Sequence, residues 1–371
     1  MFHRTWLEID ISAFESNVAH MLADVHPAQL LAVLKADGYG LGAAPLARAA
    51  LAAGAARIGV ATADEAMALA GERMPLQVMS AVFPEELPAL IGAGIDIPLH
   101  DVAMASEISS AASMVGRRAR VHVKLDTGMG RLGLLPDDLE RVVEINRDFH
   151  NIDIVGIFTH FPLSTEHCRE ACLAQIEEVK KALAFLAGRG FSIQVAHVAN
   201  SDAIMHLPEA ARPPFNMVRA GISMHGLTDM GDSRPEWLAD VVSFHSRLVS
   251  VRRLPAGHAV GYGATFRLKR PTMIGTVAAG YADGVPLALS NRGAVVVNGH
   301  RCPVVGRISM DYTTIDLTNA PEAIAGAPVT LFGGHGGEVP TAADWAEAKG
   351  THPYDIICSV APRVVRIYRH K

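Results

Sequence analysis

A single lysine closes the apolar run in "AVLKADGYGLG", residues 32–42. Lys35 stands where a buried strand must end, and a buried ammonium is costly unless it is paired or used. The glycines at 38, 40 and 42 let backbone approach another group closely, and Tyr39 adds one phenol. An amine held in a partly desolvated site can be uncharged and attack an aldehyde, which makes Lys35 a candidate Schiff-base former. Taken alone it reads first as a strand end emerging into solvent, so its neighbours must decide.

Other reactive side chains recur at the ends of apolar runs. Lys124, Asp126 and Arg131 cluster in "ARVHVKLDTGMGRLG", His160 follows "IDIVGIFT", and His197, Asn200 and Ser201 fall in "IQVAHVANS". Arg219, Gly221 and Ile222 close the series in "FNMVRAGI". Each has a structural reading: Asn200 and Ser201 as a helix cap, the histidines as core imidazoles, Arg219 as a salt bridge. Their joint placement favours chemistry.

What must position them is a repeat. Eight β-branched or apolar runs, at 30–35, 57–62, 76–82, 95–101, 119–126, 152–161, 193–200 and 215–222, alternate with Ala- and Leu-rich helical patterns. This predicts an eight-stranded parallel (β/α)8 (TIM) barrel, an α/β fold that keeps its chemistry at the C-terminal strand ends. There is no G-x-G-x-x-G after the first run and no P-loop, which argues against an open dinucleotide-binding sheet. In a barrel the loops after strands seven and eight commonly seat a phosphate. Ser201 and the bare amides of Gly221 and Ile222 lie there, opposite an amine at Lys35. An aldehyde carrying a phosphate fits both ends, and pyridoxal 5'-phosphate is such a cofactor.

From about residue 240 the pattern changes to strands and turns, with only "AADWAEAKG" reading as helical, so a mainly β C-terminal domain follows. "RTWLEID" alternates like a strand and is expected to join that sheet. The expected division is therefore residues 1–10 with the β domain, 11–238 as the cofactor-binding barrel and 239–371 as the β domain.

Composition narrows the partners. With 371 residues, 50% hydrophobic and a net charge of -5, the chain can build a large core and offers no basic footprint for nucleic acid. Glu8 and Asp10 break any signal peptide, and Arg48, Arg57, Asp64 and Glu65 break the Ala-rich stretch 43–70, so no membrane segment is expected. Four scattered cysteines fit a reducing cytoplasm. Cys168 and Cys172, beside His167, lack a second ligand pair, so no metal site is expected.

The motifs "AVLKADGYGLG", "VHVKLDTGMGRLG", "GIFTHF", "HVANSDA", "VRAGI", "VGYGATF", "AAGYADG", "VVGRISMDYTTID" and "THPYDIICSVAPRVVRIY" together resemble the pyridoxal-phosphate-dependent alanine racemases over essentially the whole chain. That resemblance implies interconversion of L- and D-alanine, supplying D-alanine for peptidoglycan. It implies that Lys35 holds the cofactor and works on the D face. Tyr262, delivered from the partner subunit of a homodimer, would work on the L face. A free phenol titrates near ~10, so a tyrosine base needs help. The relay implied is Arg219, His160 and Tyr262, with His197 close by and Arg219 at the ring nitrogen.

By the same carry-over Tyr39, Asn200, Ser201, Gly221, Ile222 and Tyr354 hold the cofactor, and Arg131, Met310 and Asp311 meet the substrate. Lys124 matches a position that some members carbamylate. The chain departs from the common pattern at Asp37, Gly38, Leu41, Thr165, Ala220 and His225, around the cofactor shell and entrance. Those departures leave open a serine or broad-spectrum racemase, and more remotely a barrel-type amino-acid decarboxylase.

Overall fold

The computed structural model describes residues 3–162, 168–228, 234–333 and 337–370; Thr165 and His167 lie outside them. Eight short strands run in order round a barrel: Gln29–Val33, Arg57–Val60, Leu76–Val78, Ile97–Leu99, Ala119–Lys124, Ile152–Phe158, Val195–His197 and Met217–Ala220. They pair in parallel as two four-stranded sheets. A bridge between Gln77 and Asp96 closes one seam. The other is closed by the amides of Asn216 and Arg219, which donate to the carbonyls of Ala196 and Ala199, each at 3.1 Å.

The barrel read from the sequence is therefore present, with every strand shorter than its apolar run. The first run was expected to carry Lys35 at its end, whereas the ladder stops at Val33 and Lys35 opens the turn beyond it. Helices Ala43–Ala52, Ala63–Ala70, Leu87–Ala93, Ala105–Val115, Leu139–Asp148, Arg169–Gly188 and Ser201–His206 fill the crossovers. Cys172 is buried on the sixth of these and Cys168 precedes it. No helix among the described residues is long and apolar enough to cross a membrane.

Thr5–Asp10 lies antiparallel to the long strand Val242–Leu254 and parallel to Val365–Arg369. Its last residue then starts the barrel's leading helix, Ile11–Val25: the Asp10 carboxylate accepts from the Ala13 amide at 3.0 Å, a good N-cap. The chain thus crosses between the β region and the barrel without a linker. Alongside "AADWAEAKG" (helix Ala342–Lys349), the β region holds a second helix that the sequence reading missed, Pro353–Cys358. Its first turn begins with Pro353, whose fixed φ suits a helix start, but six residues are too few to show a period.

The C-terminal strand also fixes the loop after Lys35. Tyr368 Oη donates to the Leu41 carbonyl at 2.8 Å, and Arg366 Nε donates to the Gly40 carbonyl at 3.0 Å. A Cβ on Gly42, which has φ +100°, would lie 1.9 Å from the Tyr368 hydroxyl, so only glycine admits this clamp.

Candidate active site

Lys35 enters a turn of left-handed backbone: φ is 52° at Ala36, 52° at Asp37, 64° at Gly38 and 58° at Tyr39. Non-glycine residues cost roughly 1–2 kcal/mol each in this region, so the turn persists only because its surroundings over-determine it. Glu65 accepts from the Ala36 amide at 2.6 Å, Asp37 accepts from the Ala43 amide at 2.7 Å, and the clamp from Arg366 and Tyr368 holds the far side. The result aims Lys35 and Tyr39 into one cavity at the C-terminal end of the barrel.

That cavity, of about 210 Å³, is lined by Lys35, Tyr39, Lys124, Arg131, His160, Asn200, Ser201, Arg219, Gly221, Ile222 and Tyr354 among others. Most of the expected site residues meet there. His197 lies directly beneath, fully buried, against Arg219. Tyr262, Met310 and Asp311 do not line this cavity. Tyr262 is 72% exposed and Met310 52% exposed, both on the β region, and Asp311 is bound by Arg363 at 2.9 Å.

Charge in the cavity is mainly positive, with Asp202 the acidic residue among those that line it. Lys35 faces the opening, yet the surrounding walls strip enough water from its amine to lower its pKa, and the nearby Arg131 charge lowers it further. Lys124, 4% exposed, is brought down to about 8 by burial and then by Arg219 and Arg131. No carboxylate among the described residues pairs with Lys124 or Arg219. Four cationic side chains around one cavity make it a receptor for anions.

Arg219 is 3% exposed, and both terminal nitrogens of its guanidinium are held by acceptors. Nη1 donates to Nδ1 and the carbonyl of His197, both at 3.1 Å. Nη2 donates to the carbonyls of Thr159 at 2.8 Å and Val198 at 3.0 Å, and to Nδ1 of His160 at 3.3 Å. A guanidinium cannot accept, so both imidazoles take its protons on Nδ1 and carry their own on Nε2. Burial, then the charge of Arg219, drives the His160 pKa down to about 3, so the ring is neutral.

At the opposite wall the Gly221 amide donates to Ser201 Oγ at 2.8 Å. A Cβ at Gly221 would lie 2.5 Å from Tyr39 Oη and 3.6 Å from Ser201 Oγ. A phenol, a hydroxyl and bare backbone converge there, the polar donors a phosphate needs. Burial pushes the Tyr39 pKa up, keeping its proton available for donation. Asn200 also caps the following helix, accepting from the Ala203 amide at 3.0 Å, so its structural reading holds alongside its place in the cavity.

Arg131 rides on a loop organised by Asp126, whose carboxylate accepts from the Gly128 and Gly130 amides at 3.0 Å each. Two residues escaped the sequence reading. Glu65, which braces the Lys35 turn, was legible as the fourth residue of the capping box begun by Thr62. Phe158 stacks on His197 with ring centroids 5.0 Å apart and lies 5.0 Å from the Lys124 ammonium; nothing marked it among other apolar strand residues.

The amine, phosphate-type and guanidinium elements fit the shape and chemistry of pyridoxal phosphate. Residues 9–229 match the family model "Alanine racemase, N-terminal domain", and residues 241–368 match "Alanine racemase, C-terminal domain". Alanine racemases of Symbiobacterium thermophilum and Desulfovibrio desulfuricans are each 37% identical, over 98% of this chain and 97% of theirs. The structure of alanine racemase from Streptomyces coelicolor superposes with a TM-score of 0.93 at 35% identity, covering 99% of this chain and 98% of that one. Alanine racemase from Bartonella henselae, solved with covalently bound pyridoxal phosphate, gives 0.88 at 28% identity, covering 99% of this chain and 100% of that one. With both domain models matched in order and the relatives aligned from end to end, the chain belongs to the alanine racemase family.

Proposed function

We propose that the chain is a pyridoxal 5'-phosphate-dependent alanine racemase that interconverts L- and D-alanine with two bases, one from each subunit of a homodimer. The observation that carries this is the guanidinium of Arg219, buried under the cavity and held by two neutral imidazoles. Lys35 would hold the cofactor covalently. Tyr39, Ser201, the amides of Gly221 and Ile222, and Tyr354 would hold its phosphate, with Asn200 close by. Arg219 would face the ring nitrogen.

Bound there, the cofactor supplies an electron sink that acidifies the α C–H of an attached amino acid. The protein must then move a proton from one face of that carbon to the other, and one side chain cannot easily serve both. The Lys35 amine, its pKa lowered, takes or returns the proton on the D face. The phenol of Tyr262 from a second copy serves the L face; its exposure, outside its own cavity, supports delivery across an interface. His160 accepts from Arg219 on Nδ1, which leaves its Nε2–H to donate to the phenol oxygen and ease its ionisation. Arg131 and the Met310 amide from the partner would set the substrate carboxylate, with Asp311 next to it.

An arginine at the ring nitrogen cannot readily protonate it, and a weaker sink favours proton exchange over transamination. Lys124 would carry a carbamate that orients Arg131. Its four free cysteines suit a reducing cytoplasm, where D-alanine would feed peptidoglycan. Incubating the purified protein with pyridoxal phosphate and L-alanine, then separating enantiomers, tests the reading: D-alanine should approach equality with L-alanine. Racemised serine with untouched alanine would move the substrate, and an amine product would make the chain a decarboxylase.

A further inference from the structure

Beneath Arg219 the barrel interior stays polar. Asp96, 2% exposed, accepts from Arg120 Nε at 2.8 Å and His122 Nε2 at 3.0 Å, and is also paired with Arg57. His122 is completely buried, and its ring centroid lies 5.8 Å from that of His197 at an interplanar angle of 73°. Two nitrogens in this pair have no partner among the described residues: His122 Nδ1 and His197 Nε2.

Their roles are complementary. His197 Nδ1 accepts from Arg219, so its proton is on Nε2, an unanswered donor. His122 Nε2 gives its proton to the Asp96 carboxylate, so Nδ1 is an unanswered acceptor. Burial lowers the pKa of both rings, which keeps each neutral with a single proton. A buried donor and a buried acceptor are seldom left unanswered as neighbours, because each unmade bond is costly. The ring edge carrying Nδ1 packs against the backbone of Gly156, where a Cβ would lie 2.1 Å from Nδ1, so only glycine admits the ring in this position.

We propose that His122, fixed by Asp96, is a positioning residue: its Nδ1 answers the Nε2–H of His197 through one ordered water, locking the tautomer that accepts from Arg219. Such a water has two polar partners waiting and satisfies both. With the opposite tautomer, His197 would point N–H at N–H, and Arg219 would lose one acceptor from Nη1. The line Asp96, His122, His197, Arg219 thus sets how the guanidinium is presented to the cavity. This rests on the reading of Arg219 given under Proposed function.

The test is nitrogen NMR of the holoenzyme labelled with ¹⁵N-histidine, with His122 and His197 assigned from His122→Phe and His197→Phe. In the wild type both residues should be protonated on Nε2 and bare on Nδ1. In His122→Phe the His197 nitrogens should move toward a mixture of tautomers, and kcat should fall roughly tenfold with KM for alanine little changed, in the manner of a lost outer partner. His122→Gln, whose amide oxygen can accept, should recover much of both. A wild-type His122 protonated on Nδ1 would overturn the proposal without any variant. So would His197 signals unmoved in both His122 variants, or moved with kcat unaffected. The tautomers are read on the protein itself, so a wild type that fails to racemise alanine would sink the proposed function while the nitrogen spectra still judge the line.

Discussion

Nη2 of Arg219 lies 3.3 Å from Nδ1 of His160, and because a guanidinium only donates, the imidazole is left with its proton on Nε2. A buried cation therefore dictates the direction of a hydrogen-bond chain that ends at the cavity. Each of the following outcomes draws on that arrangement or on the walls around it.

Replacing Arg219 with Glu puts a carboxylate where the ring nitrogen would be met. Racemisation should fall by about 100-fold or more, since the group lost is preorganised for the transition state. Transamination per turnover should rise, seen as loss of the cofactor's aldehyde absorbance and formation of pyruvate.

Gly221→Ala crowds the phosphate wall, where the new Cβ would stand 2.5 Å from Tyr39 Oη. A clash of this kind costs about 2 kcal/mol, roughly 30-fold in affinity. Fluorescence titration with pyridoxal phosphate should show that weakening, and the melting temperature of the cofactor-free protein should fall as well, because the clash with Tyr39 is present before the cofactor arrives.

Lys124 is 4% exposed with a pKa lowered from 10.5 to about 8, chiefly by burial, so holding it protonated costs the fold about 3 kcal/mol. The folded chain releases the proton before the unfolded one does. The cost is therefore full below pH 8 and is relieved as pH rises toward 10.5. Lys124→Met should stabilise the protein at pH 7, and by less as pH climbs through that window. Carbamylation removes the same charge, so bicarbonate should raise the melting temperature of the wild type at pH 8 and leave Lys124→Met unmoved.

His225 is completely buried, neither ring nitrogen has a partner among the described residues, and burial brings its pKa from 6.5 down to about 3. Its stabilising neutral form is intact above pH 6.5, and stability drains away as pH falls toward 3, where the unfolded chain alone binds the proton. By pH 5 that amounts to about 2 kcal/mol. Urea unfolding at pH 7.5 and pH 5 should show His225→Phe losing less stability on acidification than the wild type.

The barrel was legible because alternating apolar runs and helical patterns leave few topologies, and the rule that chemistry sits at C-terminal strand ends then picked out His160, His197 and Arg219. The turn at Lys35 was not. Ala36 and Asp37 give no sign of left-handed backbone, and what forces it comes from Glu65, Arg366 and Tyr368, distant in sequence. The line from Asp96 to His197 was equally hidden. Parity along a strand places a histidine inside a barrel, but only the assembled interior shows which nitrogen lacks a partner. Tyr262 entered through family resemblance alone, since nothing local relates "VGYGATF" to the barrel mouth.

Mixing two inactive variants is the most direct measurement of a site built from two chains. Lys35→Ala and Tyr262→Phe should each be inactive as pure proteins. Unfolded together and refolded with pyridoxal phosphate, they should regain about a quarter of wild-type alanine racemisation, because half the dimers are mixed and each mixed dimer holds one intact site. A mixture that stays inactive while circular dichroism and dimer formation are normal would contradict the sharing of Lys35 and Tyr262 between subunits, as would substantial racemisation by Tyr262→Phe alone.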